Sequence, residues 1–370
     1  MDGKPCGDGP RAPAGPAIRP IPPQRPPMPD TPPLSAPGNA TALAATRDGA
    51  IVCDLAPLAV LAVEGADAAA FLQGQLSSDV AGLGDDACQY TSYNSPAGRM
   101  LANFVLWRAG PGPTAAYCAL LPGDIAAAVR KRLAMYVLRS KVTVTDVSTT
   151  LVRRGVGGPA AITAVRAALG AAPPPFGVVR ADGVTVLGVP GPRFLLLAAV
   201  DQAAALAAAL GQSVAPADFS VWQWLTIRAG VPVITAATQD KFIAQAANWD
   251  LLGGVSFRKG CYTGQEIIAR SQYLGRLKER LFAFRTTATG VAAGDRLYSP
   301  VFADQACGTV VNAAPAPDGH TDLLAVVQLA AVAGGDVLLG APDGARLAPL
   351  PLPYEVPVAS QTRPRAPAGS

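Results

Sequence analysis

The apolar runs of this chain are short. Phe194 to Val200, among the longest, is closed off by Arg193 and Asp201 after seven residues, whereas a helix crossing a bilayer needs about 20. Runs of that length between breakers dictate short strands and helices and argue against a membrane span. With 370 residues, half of them apolar, the chain can bury a large core shared among two or three packed units. Its first 20 residues carry prolines, Asp2 and Asp8 where a secretory signal has a basic start and an apolar stretch, so a cytoplasmic protein is expected.

Thirteen prolines fall between Pro5 and Pro37. With few large apolar residues, residues 1–45 are expected to be a disordered tail, and residues 358–370 a second one. Order begins near Asp48. Leu58 to Val63 reads as a strand, Asp67 to Leu76 as a helix, and Gln89–Tyr93 with Met100–Trp107 as a hairpin around Asn94-Ser95-Pro96-Ala97-Gly98. Ile125 to Tyr136 is helical by spacing and Lys141 to Val147 alternates as a strand. Gly177 to Leu210 looks like another small α+β unit, with Gln202–Leu210 as its helix. After Arg276 the texture changes to short strands at Arg280–Phe284, Arg296–Tyr298, Gly308–Val311, Leu323–Gln328 and Asp336–Leu339, the pattern of a small β-barrel or sandwich.

Six cysteines are scattered without a Cys-x-x-Cys pair, and histidine occurs once, at His320 in a turn-like stretch. These counts argue against a zinc knuckle, a redox pair and a Ser-His-Asp triad. The formal net charge of +4 is uneven. Between Ser256 and Arg285 lie Arg258, Lys259, Arg270, Arg276, Lys278, Arg280 and Arg285 against Glu266 and Glu279, which suggests either a solvated face or a surface for an anionic partner.

Within that segment Thr263-x-x-Glu266 is a capping box, so a helix should start just after Thr263 and end at Gly275. Cys261 then sits ahead of a helix N-terminus, with Arg258 and Lys259 beside it, and each feature favours thiolate over thiol. With no histidine to act as its base, papain-type catalysis is not the reading.

Lys259-Gly260-Cys261-Tyr262-Thr263-Gly264-Gln265-Glu266 resembles the signature of the YgfZ family. Ala229-Gly230-Val231-Pro232, the spacing of Phe242, Gln245 and Asn248, and Phe71-Leu72-Gln73-Gly74-Gln75-Leu76-Ser77-Ser78-Asp79-Val80 are similar to further blocks of that family, over roughly Asp48 to Leu352. The resemblance implies an α+β, T-protein-like fold. In it, residues 46–280 form a folate-binding region of two α+β subdomains (about 46–150 and 151–280), and residues 281–357 a C-terminal β-barrel, around a central opening for a tetrahydrofolate derivative. It further implies an accessory role for [4Fe-4S] client enzymes, including one that thiomethylates tRNA, or for cluster-assembly proteins, with tRNA met at most indirectly. Carried over onto this sequence, Cys261, Lys259, Gln265 and Glu266 are the candidate catalytic residues. Trp222, Arg228, Asn94 and Arg270 are the candidate folate contacts, no metal site is implied, and a monomer is expected.

Three places depart from the pattern of the relatives. Leu101 and Ala102 stand where its aminomethyltransferases carry an acid pair, so no carboxylate is left there for proton transfer. Arg228 replaces a glutamate that meets the pterin, and a cation cannot accept the pterin's N–H groups. Leu58 takes the place of another pocket tryptophan. Conventional catalysis is therefore not expected, although a folate-dependent one-carbon transferase and a non-catalytic scaffold for RNA or a partner stay open as alternatives.

Overall fold

The computed structural model describes residues 45–110, 112, 116–273 and 277–357. Residues 1–44 and 358–370 of the expected tails, and the expected helix end at Leu274 and Gly275, lie outside the described residues.

Strands β1 (Ile51–Asp54) and β2 (Leu58–Glu64) follow one another in the chain yet enter different sheets. β2 is apolar almost throughout because both of its faces are covered. Ala59, Leu61 and Val63 enter one core, and Val60 and Ala62 enter another. Its sheet has the order β3-β4-β5-β2-β6, with β3 (Cys88–Asn94), β4 (Met100–Arg108), β5 (Tyr117–Pro122) and β6 (Thr143–Asp146). Helices α1 (Ala68–Gln75) and α2 (Gly123–Met135) cover the outer face through Phe71, Leu72, Ile125, Val129 and Leu133.

The second sheet has the order β11-β1-β7-β10-β9-β8, from β7 (Leu151–Gly157), β8 (Val178–Ala181), β9 (Val184–Val189), β10 (Arg193–Ala199) and β11 (Ala215–Ala217). Helices α3 (Ala161–Leu169) and α4 (Ala203–Leu210) cover its far side. The two sheets share a core in which Val60, Trp107 and Leu120 of the first meet Ile51, Leu187 and Leu195 of the second. The result is a helix–sheet–sheet–helix stack, the two α+β units read from the sequence, with β1 crossing over to the second.

Helix α5 (Phe219–Arg228) leads into a long irregular segment and then α6 (Gln265–Tyr273). The third sheet comprises β12 (Glu279–Thr286), β13 (Arg296–Tyr298), β14 (Gly308–Pro315), β15 (Thr321–Gln328), β16 (Leu338–Leu339), β17 (Ala345–Arg346) and β18 (Ala348–Leu350), with the short helix α7 (Leu329–Gly334) between β15 and β16. Its order is β17-β16-β13-β14-β15-β12-β18, so its two edge strands are neighbours in the chain, separated only by Leu347. A sheet whose edges are joined by one residue must curl almost into a closed barrel, which leaves little free edge. Alternation along β15 turns Leu323, Ala325 and Val327 into the barrel. Leu324 and Val326 face outward, onto a core built with α5, residues 242–249, Tyr90, Tyr262 and Ile268. The motif from Lys259 to Glu266 is thereby seated where the first sheet and α5 meet the barrel.

Candidate functional site

Strand β3 ends at Asn94, and the chain turns back over residues 95–99, closed by Ser95 N–H to Arg99 O at 2.8 Å and Gly98 N–H to Ser95 O at 2.8 Å. Against this turn lies the loop before α6. Gly98 (φ +72°) and Gly264 (φ +81°) touch: a Cβ on Gly264 would stand 2.5 Å from Ser95 O and 2.9 Å from Gly98 Cα. Main chain meets main chain at a distance, and at backbone angles, that only glycine permits. The turn is held from a third side, where Asp240 accepts from Ser95 Oγ at 2.7 Å, Arg99 pairs with Ile243 and donates to Lys241 O.

The capping box takes a different form from the one expected. α6 begins at Gln265, and it is Gln265 Oε1, not Glu266, that reaches back, accepting from Tyr262 N–H at 3.2 Å. Gly264, in the left-handed region and packed on Gly98, delays the start of α6 by one residue, and the Gln265 side chain closes the turn ahead of it instead. Tyr262 and Ile268 are buried in the core between the first sheet, α5 and the barrel, a contribution of about 2 kcal/mol each. Gln245 Nε2 donates to Ile268 O at 2.6 Å and fixes the first turns of α6 from below.

Lys259 does not lend its charge to Cys261. Its ammonium donates to three main-chain oxygens at and just past the end of α1, Gln73 O at 2.5 Å, Leu76 O at 2.6 Å and Ser78 O at 2.9 Å, with the Tyr262 ring 5.0 Å away. Carbonyls at a helix C-terminus lack partners of their own and favour a cation. Burial opposes them and pushes the ammonium down to about 8. Cys261, between the anchored Lys259 and the buried Tyr262, is exposed, as are Glu266 and Arg270.

Asn94 is fully buried, and neither its Nδ2 nor its Oδ1 has a hydrogen-bond partner. Nearby chain segments add two more such atoms, Gln245 Oε1 and Trp249 Nε1. Unmet polar groups are expensive inside a protein, and both functions of Asn94 are unmet.

The other candidate folate contacts lie apart from this turn. Trp222 is a core side chain: its ring abuts Gly155, sits 5.2 Å from the Arg193 guanidinium and is 6% exposed. Arg193, missed from the sequence, is buried between Trp222 and Tyr90 and donates to Thr226 Oγ1 and Pro190 O. Arg228 reaches Asp322 of the barrel at 3.9 Å, a carboxylate already held by Arg285 at 2.6 Å and by the Trp224 indole N–H at 2.9 Å. The basic segment is likewise partly used up internally. Arg280 forms a two-pronged buried pair with Asp250 at 2.7 and 3.1 Å, and Arg285 pairs with Asp318 and Asp322. Arg258, Arg270 and Lys278 are left exposed, and Arg276 lies outside the described residues.

The stack of two covered sheets followed by a curled barrel defines a protein of the GCVT-like class. The GCVT N-terminal domain matches residues 33–191. The glycine cleavage system aminomethyltransferase T from Bartonella henselae shares the fold with a TM-score of 0.66 over 87% of this chain and 90% of that one, at 17% identity. Two curated relatives are much closer in sequence, both called tRNA-modifying protein YgfZ. That of Pectobacterium carotovorum subsp. carotovorum (strain PC1) is 32% identical over 304 residues, covering 80% of this chain and 90% of its own. That of Klebsiella pneumoniae (strain 342) is 34% identical over 305 residues, covering 80% and 91%. The chain belongs to the YgfZ family.

Proposed function

We propose that this protein is a folate-binding accessory factor for the assembly or repair of [4Fe-4S] enzymes, among them one that thiomethylates tRNA, and that Cys261 is its key functional residue. Its relatives carry the name of a tRNA-modifying protein, and the fold is that of an aminomethyltransferase. The observation that carries the reading is the junction of the Asn94 turn with the Cys261 loop. There, a loop that carries an exposed thiol and is pinned by Lys259 packs through Gly264 on the turn that follows a buried amide with an unused donor and an unused acceptor.

The fit to a reduced folate is chemical. A pterin presents an N–H donor beside a carbonyl acceptor, the complement of Asn94 Oδ1 and Nδ2. Bound folate supplies one-carbon chemistry at its N5 and N10. The chain's own residues give rigid positioning: glycine contact at Gly98 and Gly264, the Gln265 cap and the Lys259 anchor hold the loop without side-chain rearrangement. One thiol cannot hold a cluster that takes four ligands, so clients or assembly proteins would bring the iron and sulfur.

A folate-dependent one-carbon transfer is the second reading, and one contact favours it. Leu101 and Ala102 offer no acid, but Asp240 brings a carboxylate to the same turn from another part of the chain. Calorimetric titration of a reduced folate tests the first reading. Wild type should bind, and Asn94→Leu, similar in size but without the amide, should bind at least about tenfold more weakly. Absence of wild-type binding, or equal affinity of the two chains, contradicts it. Turnover of a one-carbon donor that is lost in Asp240→Asn would favour the transferase instead.

A further inference from the structure

With Arg280 and Arg285 paired internally, the surplus of positive charge shifts to a part of the chain the charge count had averaged away. From Ile125 to Thr145 there are five cations, Arg130, Lys131, Arg132, Arg139 and Lys141, and no acid. Among the described residues none of them forms an ion pair within 4 Å. Interleaved with them, at the C-terminal end of α2, stand three exposed apolar side chains: Met135, Tyr136 and Leu138. Leu138, 86% exposed, has φ +47°, where a helix end ordinarily uses glycine. A bulky side chain kept there at a cost in backbone energy fits a surface that uses it.

Beneath α2 opens a cleft of about 280 Å³, lined by Tyr93, Leu101, Val129, Lys131, Arg132 and Met135 among others. Arg132 bears on the Tyr93 hydroxyl, while its Nε is buried without an acceptor. The cleft adjoins the candidate site, since Tyr93 precedes Asn94 and Gln239, also in its lining, precedes Asp240.

We infer that α2 and this cleft form a docking surface for single-stranded RNA, with phosphates on the cations, a base on the Tyr136 ledge and one unstacked nucleotide at the cleft. Basic side chains alternating with an aromatic and apolar ledge are the composition of a stacking platform on a charged track. A membrane surface is the poorer match. The inner face of α2 is committed to the core through Ile125, Ala126, Val129 and Leu133, which leaves one turn of apolar residues to insert. The choice of RNA rests on the reading of the protein as a tRNA-modification factor; the surface itself does not.

Fluorescence anisotropy of a labelled single-stranded RNA oligonucleotide and of a labelled tRNA transcript, titrated with the full chain at several salt concentrations, tests this. Arg130, Lys131, Arg139 and Tyr136 are exposed, so their replacement should leave the melting temperature unchanged. The triple variant Arg130→Ala, Lys131→Ala, Arg139→Ala should bind at least about tenfold more weakly and flatten the logarithmic salt slope by about two. Tyr136→Ala should lose at least about fivefold. Failure of wild type to bind either RNA, or variants that bind as wild type does, overturns the inference. So does variant-sensitive binding to phosphatidylserine vesicles or polyglutamate without variant-sensitive binding to RNA. Folate titration of the same proteins separates the two claims. Folate binding without RNA binding contradicts only the docking surface, and RNA binding through α2 without folate binding contradicts only the proposed function.

Discussion

The Lys259 ammonium caps α1 from nearly 200 residues away, which gives one side chain of the motif a structural task that local reading had assigned to electrostatics around Cys261. Lys259→Met leaves three carbonyls short of a donor. It should cost roughly 1–3 kcal/mol and open residues 257–264 to limited proteolysis. The wild-type group has a folded value of about 8 against about 10.4 in an unfolded chain. The unfolded chain therefore binds more protons between those values, and wild type should gain melting temperature relative to Lys259→Met as pH rises from about 8 to about 10. An offset between the two proteins that does not change with pH would contradict this. The cysteines give a second test. Cys53, Cys88 and Cys118 are buried and their thiols are pushed up to about 12, and burial raises Cys307 as well, while Cys261 is exposed. Iodoacetamide mapped by peptide mass spectrometry should mark Cys261 first among these five; earlier labelling of a buried one would contradict the packing.

Among the elements, those with a clean period were legible. The hairpin, α2, α4 and strands β12 to β16 of the barrel overlap the segments that alternation and spacing mark, because each carries its period within its own sequence, whereas β17 and β18 were not marked. What escaped depends on distant partners. Four residues of β1 carry no sign that they pair with Arg154–Gly157 and Ala215–Ala217 instead of joining β2. Nothing near Arg280 announces Asp250, so a segment that counted as a basic face proved partly neutralised within the fold, through Arg280 and Arg285. The capping box was visible, but its register was set by the Gly98–Gly264 contact. Gly264→Ala would press a methyl into Ser95 O at 2.5 Å and strain a φ of +81°. The turn and the loop must separate, with a loss of several kcal/mol and, on the proposed function, of folate affinity. A Gly264→Ala protein with unchanged melting temperature would show that the two backbones do not meet in this way.

At the scale of the molecule, the motif sits where the first sheet meets the nearly closed barrel, with Tyr262 and Ile268 in the core these share with α5 and Cys261 exposed. Of the candidate site, Cys261, Lys259 and Gln265 were legible through a motif, and their loop packs through Gly264 on the turn that follows Asn94. Trp222 and Arg228 proved bound up with Gly155, Arg193 and Asp322, contacts that only the folded chain makes. The central claim is that the sulfur at position 261 serves chemistry and not packing. Cys261→Ser keeps the size of an exposed side chain and removes the soft, ionisable atom. It should therefore melt like wild type and bind folate equally well. The most direct measurement is the restoration of [4Fe-4S] enzyme activity, by Cys261→Ser at limiting expression, in cells that lack the native protein. The account predicts that the variant fails to restore it where wild type succeeds; full restoration by the variant would contradict it.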